Sequence, residues 1–137
     1  MTKKILLIDD DADDQLFFTD VLGSIDPELE LKIAVNGLEG MDVLTNGYMP
    51  DIIFLDLNMP YMNGFDFLRT FRTMQTWNEI PVVIFTTSNH ERDIELSEEL
   101  GAQAFLTKPN SVQELHRNLE QLIMSDFMEN SQQMRIF

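Results

Sequence analysis

Leu6-Leu7-Ile8-Asp9-Asp10-Asp11 passes from three consecutive aliphatic side chains directly into three consecutive carboxylates. With Ile5 it forms a short apolar run bounded by charge, the pattern of a strand buried on both faces. The acids then crowd together where that strand ends. Unpaired carboxylates at such a place repel one another, and burial strengthens the repulsion. Something positive must lie beside them, supplied from elsewhere in the chain or from solution.

The same motif of an apolar run ending in a chemically active residue recurs. "DIIFLD" ends in Asp56, "IPVVIFTTS" carries Thr86 and Thr87, and "AQAFLTKP" ends in Lys108-Pro109. "LELKIAV" alternates and reads as a further strand. Between these runs lie helical patterns. Phe18, Val21, Leu22 and Ile25 share one face, with Asp11 as N-cap. Asn36 opens a second helix with Leu38, Met41 and Leu44 on one face, stopped at Asn46-Gly47. A third helix around Phe65 to Met74 turns Leu68 and Phe71 inward. "NHERDIELSEELG" is helical but has mainly Ile94 and Leu100 to bury, so little grease holds this fourth helix. Ser111 caps a fifth helix with a stripe of Val112, Leu115, Leu119, Leu122 and Ile123. Five strands alternating with five helices imply an α/β fold, a doubly wound parallel sheet covered on both faces.

Composition narrows the function. The chain has 137 residues, enough for one compact domain, and 44% hydrophobic content typical of globular proteins. No apolar run nears the roughly 20 residues needed to cross a bilayer, so membrane insertion is not expected. The N-terminus lacks the pattern of a signal peptide, and the chain has no cysteine, which points to a cytoplasmic protein. Net charge is −15 with the nine Lys and Arg scattered, so direct nucleic-acid binding is disfavoured. Residues 1–124 account for the domain. Residues 125–137 read as a polar tail, either the end of the last helix or a frayed extension.

In a doubly wound sheet, ligands sit outside the carboxyl ends of the strands. The inferred fold gathers Asp9, Asp10, Asp56, Thr86 and Lys108 at that edge. Three carboxylates and one ammonium leave a negative excess that a divalent cation would neutralise. Oxygen donors without Cys or His favour Mg²⁺ or a similar hard ion. Magnesium held by one or two carboxylates commonly takes a phosphate as a further partner, and a lysine and a hydroxyl supply donors to phosphoryl oxygens.

"LLIDDD", "IIFLDLNMP", "VVIFTTS" and "AFLTKP", in this order, resemble the receiver domain of two-component response regulators, the CheY-like family. The resemblance covers roughly residues 3 to 124. It implies strand order 2-1-3-4-5 in a flavodoxin-like three-layer sandwich. It implies Asp56 as phosphoacceptor, with Asp9, Asp10, Asp56 and the Asn58 carbonyl around Mg²⁺. Thr86 would hydrogen-bond the phosphoryl group and Lys108 would pair with it, aimed inward by a cis Lys108-Pro109 bond. Phe105 occupies the aromatic switch position, often tyrosine, and moves with Thr86. The implied partners are a sensor histidine kinase or histidine phosphotransfer protein and a downstream protein target. The implied activity is self-catalysed Mg²⁺-dependent aspartyl phosphorylation and slow autodephosphorylation.

Other readings attach to the same residues. Asp9, Asp10 and Asp11 alone also fit a solvated helix start, where acids are favoured. Thr86 and Lys108 alone fit ordinary strand and surface positions, and Phe105 fits a simple core residue. A metal-dependent phosphatase would also use an Asp nucleophile, but it typically has a second acid two residues later, where this chain has Asn58. A receiver-like adaptor that takes no phosphate is the third reading, disfavoured because every expected acid, the threonine and the lysine are present. His90 and His116 sit in no donor-like context, so the chain is not read as a phosphohistidine carrier. With no room for an output domain after Met124, signalling by protein contact or phosphorelay is expected. Trp77, in "TMQTWNEIP", belongs at the end of the sheet away from the acids.

Overall fold

The computed structural model describes residues 3–124 and 134–137. Strands β1 (Lys4–Ile8), β2 (Glu30–Ala34), β3 (Ile52–Leu55), β4 (Val82–Thr86) and β5 (Ala104–Thr107) alternate with helices α1 (Ala12–Ile25), α2 (Gly37–Thr45), α3 (Gly64–Arg72), α4 (Glu91–Glu99) and α5 (Val112–Met124). The five strands are parallel in the order β2-β1-β3-β4-β5, as the resemblance implies. A sixth strand, β6 (Met134–Ile136), runs antiparallel along β5 and pairs Arg135 with Phe105. The sequence reading of a frayed or helical end therefore does not hold at 134–136. The polar tail as a whole offers no core of its own, yet ladder hydrogen bonds to β5 need only backbone groups. The Arg135 guanidinium also meets Glu91 of α4 at 2.7 Å.

Strand pleating sends alternate side chains to opposite faces, and this divides the core in two. Leu6, Ile8, Ile53, Leu55, Val82, Ile84 and Phe105 pack with Leu44, Phe67, Leu68 and Phe71 beneath α2 and α3. Ile5, Leu7, Ile52, Phe54, Val83, Phe85, Ala104 and Leu106 pack with α1 and α5 through Phe18, Val21, Leu22, Leu115, Leu119 and Leu122. Phe18 meets Phe54 and Phe85 edge-on, with centroids 5.1 and 5.6 Å apart. Each such buried side chain contributes about 1.5–3 kcal/mol by leaving water, so the two faces share the stabilisation.

Two local expectations change. Leu38 does not join Met41 and Leu44 on an inward face; it is 49% exposed. The buried face of α2 is made instead by Gly37, Gly40 and Leu44. A Cβ on Gly40 would lie 2.7 Å from Ile8 Cδ1, so the helix approaches by its backbone and turns Leu38 away. Val112 is likewise 52% exposed, while Leu115, Leu119, Leu122 and Ile123 are buried as expected. Helix α4 is as thinly held as its composition suggests: its one buried residue is Ser97, whose hydroxyl donates to Asp93 O at 2.7 Å.

Trp77 lies in a 3-10 turn (Gln75–Trp77) just before β4, at the amino end of the sheet, stacked on Phe71 at 5.6 Å. Beside it Arg72 donates to the carbonyls of Asn78, Ile80 and Gly101, tying this end together.

Asn118 is completely buried on the inner side of α5, and neither atom of its carboxamide has a hydrogen-bond partner among the described residues. An unpaired buried amide costs about 1–3 kcal/mol. Asn118→Leu is therefore expected to stabilise the domain by a similar amount. Urea unfolding checks this as a raised midpoint with an unchanged slope.

Candidate functional site

Three of the candidate site residues sit one position past a strand end, still held by the ladder. Asp9 N donates to Ala34 O at 3.0 Å, Asp56 N to Ile8 O at 3.0 Å, and Lys108 N to Thr86 O at 2.7 Å. The period-two pleat then decides their direction. Asp9 follows Ile5 and Leu7, Asp56 follows Phe54, and Lys108 follows Leu106, all on the α1/α5 side. Extending each strand by one residue thus brings these three side chains to one place. Gly64 lets α3 begin directly under them: a Cβ there would collide with the Asp56 carbonyl.

Lys108 is the centre of the cluster. Its Nζ lies 2.8 Å from Asp9 Oδ2, 2.6 Å from Asp14 Oδ2 and 3.1 Å from Asp56 Oδ2, with the side chain 10% exposed. Its nitrogen stands 5.5 Å from the centre of the Phe85 ring. Burial works against the charged ammonium, but the carboxylates of Asp14, Asp9 and Asp56 around it outweigh that. The ammonium is therefore held above the usual lysine range.

Asp9 has no exposed surface. Its Oδ1 accepts from Asp11 N at 3.0 Å, while Oδ2 faces the ammonium off any hydrogen-bonding direction and has no hydrogen bond. Burial pushes its carboxyl up to about 6, against the opposing pull of Lys108 and the Asp11 amide. Asp9, Asp10 and Asp56 each offer one carboxylate oxygen within 4.8 Å of the others. Hard oxygen donors only, one of them buried without a hydrogen bond, fit a divalent cation. Asp10 is exposed, which leaves the cluster open to solvent.

Thr86 and Phe105 lie elsewhere. Thr86 follows Val82 and Ile84, so the pleat places it toward the α2/α3 face, where Phe105 pairs with Ile84. Thr86 is fully buried, and its Oγ1 accepts from Ser88 N at 3.4 Å; Phe105 is 1% exposed. Thr87 is exposed. Asn58 is exposed in the loop after Asp56, and Asp56 Oδ1 accepts from Leu57 N at 2.7 Å. The expected cis Lys108-Pro109 bond is absent: the peptide is trans. The ladder bond from Lys108 N to Thr86 O and the pleat already turn the side chain inward, so no cis bond is needed to aim it.

The sequence matches the response regulator receiver domain family over residues 5–120. The chain belongs to this family. The receiver domain is 33% identical over 124 residues to response regulator Rcp1 of Synechocystis sp., covering 86% of this chain and 84% of that protein. A chemotaxis protein CheY homolog of Campylobacter jejuni is 25% identical over 120 residues, covering 88% and 92%. Among solved structures, the phosphorylated cyanobacterial phytochrome response regulator RcpA superposes with a TM-score of 0.83 at 30% identity, covering 91% of this chain and 96% of that one. The Mn²⁺-bound form of Rcp1 superposes at 0.80 and 30% identity, covering 94% and 99%. A protein-glutamate methylesterase of Methanococcoides burtonii is matched at 33% identity over only 34% of its length, so the receiver domain resembles one part of that longer protein. No helix among the described residues is long and apolar enough to cross a membrane.

Two residues of the site were missed in the sequence. Asp14, on the first turn of α1, makes the shortest contact to Lys108, and Gln15 Nε2 donates to Asp9 O at 2.7 Å. Asp14 was hidden among Asp10, Asp11 and Asp13, all exposed. The available signal was its position on α1, the helix on the face to which the pleat directs Lys108.

A carboxyl raised from 3.8 to about 6 is more protonated in the folded than in the unfolded chain between those values. Its contribution to stability is thus full below about 4 and lost as pH rises to about 6, on the order of 2–3 kcal/mol for a fully buried group. Without added metal, Asp9→Asn is expected to be more stable than wild type at pH 7. The difference shrinks toward pH 4, as paired denaturant titrations would show. Saturating Mg²⁺ is expected to leave Trp77 emission nearly unchanged, since the indole sits at the far end of the sheet; a fluorescence titration checks this.

Proposed function

We propose that this protein is a phosphoacceptor response regulator that takes a phosphoryl group from a histidine kinase onto Asp56 and signals by protein contact. The observation that supports this most directly is Lys108 Nζ 3.1 Å from Asp56 Oδ2, beside the Asp9, Asp10 and Asp56 group. An Asp56 oxygen attacks the phosphorus of a phosphohistidine, the P–N bond breaks, and the imidazole leaves. The carboxylate becomes an acyl phosphate, and water later returns Asp56 and inorganic phosphate. Lys108 turns an N–H to the incoming oxygens, and the Thr86 hydroxyl donates to them. Asp9, Asp10, Asp56 and the Asn58 carbonyl would hold Mg²⁺, which would supply neutralising charge for the transferring group.

Phosphorylation adds about one negative charge and new acceptor oxygens at Asp56. Thr86 is drawn toward that charge, and Phe105 follows on the same face. Helix α4, with one buried residue, is the element least able to resist. Output through this face reaches a protein target.

Incubation with Mg²⁺ and acetyl phosphate is expected to add one phosphoryl mass to the intact protein, and Asp56→Asn is expected to abolish it. Failure of wild type to gain that mass, together with failure to bind beryllofluoride, would overturn the reading in favour of a non-phosphorylated adaptor.

A further inference from the structure

Lys108 serves three carboxylates that are not equivalent. Asp9, Asp10 and Asp56 are close enough to share one cation; Asp14 is not among them. Yet Asp14 Oδ2, at 2.6 Å, is nearer the ammonium than either Asp9 or Asp56. Asp14 is also firmly placed, because the N-cap Asp11 accepts from both Asp13 N and Asp14 N. A divalent cation among Asp9, Asp10 and Asp56 cancels the attraction those acids exert on Lys108 and adds its own repulsion at short range. With only those acids for counter-charge, the ammonium would swing to water on its long stem.

We propose that Asp14 is the positioning residue that keeps Lys108 in the site, directed at Asp56, when the cation occupies the other acids. It supplies a charge-assisted hydrogen bond from outside the cation's donor set, and so separates holding the lysine from holding the metal. Asp14 makes no contact with the phosphoryl group and acts through Lys108 alone. The proposal rests on Asp56 as phosphoacceptor, but its central claim concerns the ammonium and is read without phosphorylation.

The first measurement is the Lys108 ammonium resonance in a ¹⁵N–¹H correlation spectrum, with and without Mg²⁺. In wild type a slowly exchanging signal is expected to persist on adding Mg²⁺; in Asp14→Asn it is expected to vanish with Mg²⁺, and Asp14→Glu is expected to restore it. An undiminished signal in Asp14→Asn with Mg²⁺ would overturn the proposal. The second is the rate of phosphorylation by acetyl phosphate. Asp14→Asn is expected to slow it about threefold to tenfold, the range for a half-exposed, charge-assisted contact. In a Lys108→Ala background the same change is expected to have no further effect. An equal loss in that background would show that Asp14 does not act through Lys108. If wild type takes no phosphoryl group, the phosphoacceptor reading fails, while the ammonium spectra still decide the role of Asp14.

Discussion

One ammonium lies within 3.1 Å of three carboxylates at the carboxyl edge of the sheet, and the rest of the molecule is arranged so that this remains possible. Removing Lys108 would leave Asp9 and Asp56 buried side by side with like charge, which low-dielectric surroundings penalise heavily. The positive charge does not relieve the cluster fully. Burial still holds the Asp9 carboxyl above the usual carboxylate range, and the set remains net negative. A site left in that condition attracts cations, as befits an acidic triad typical of a receiver metal site.

Geometry is imposed on this charge by the sheet rather than by the loops. Each of Asp9, Asp56 and Lys108 extends a strand by one residue and keeps a ladder hydrogen bond, so the pleat aims all three to one side. Thr86 lies on a strand of the same ladder with the opposite parity. The two faces of β4 and β5 thereby differ, with charge on the α1/α5 side and Thr86 and Phe105 on the other. A change at Asp56 has only the thickness of one sheet to cross.

Much of this was readable from the residues. Apolar runs ending in Asp9, Asp56, Thr86 and Lys108 define four strands and the residues at their carboxyl ends, and the family pattern orders them. Side-chain detail was less accessible. Leu38 has the right spacing to be buried, but the glycines of α2 turn the helix so that it is not. Asp14 is one acid among several in sequence, and only the packing of α1 beside β1 and β5 distinguishes it. Lys108 could be assigned an inward direction, but a cis bond was the wrong cause. The strand at 134–136, Met-Arg-Ile, does alternate, but over only three residues; it exists through pairing with β5, and a run that short announces nothing by itself.

That last strand also changes what the sheet presents to its surroundings. Without it, β5 would leave a row of unpaired amides and carbonyls at the border of the sheet, a ready template for another extended chain. Arg135 places a charge on the covering strand, and the opposite border, β2, carries Glu30 and Lys32, both exposed. Charged side chains at both borders disfavour edge-to-edge strand pairing there.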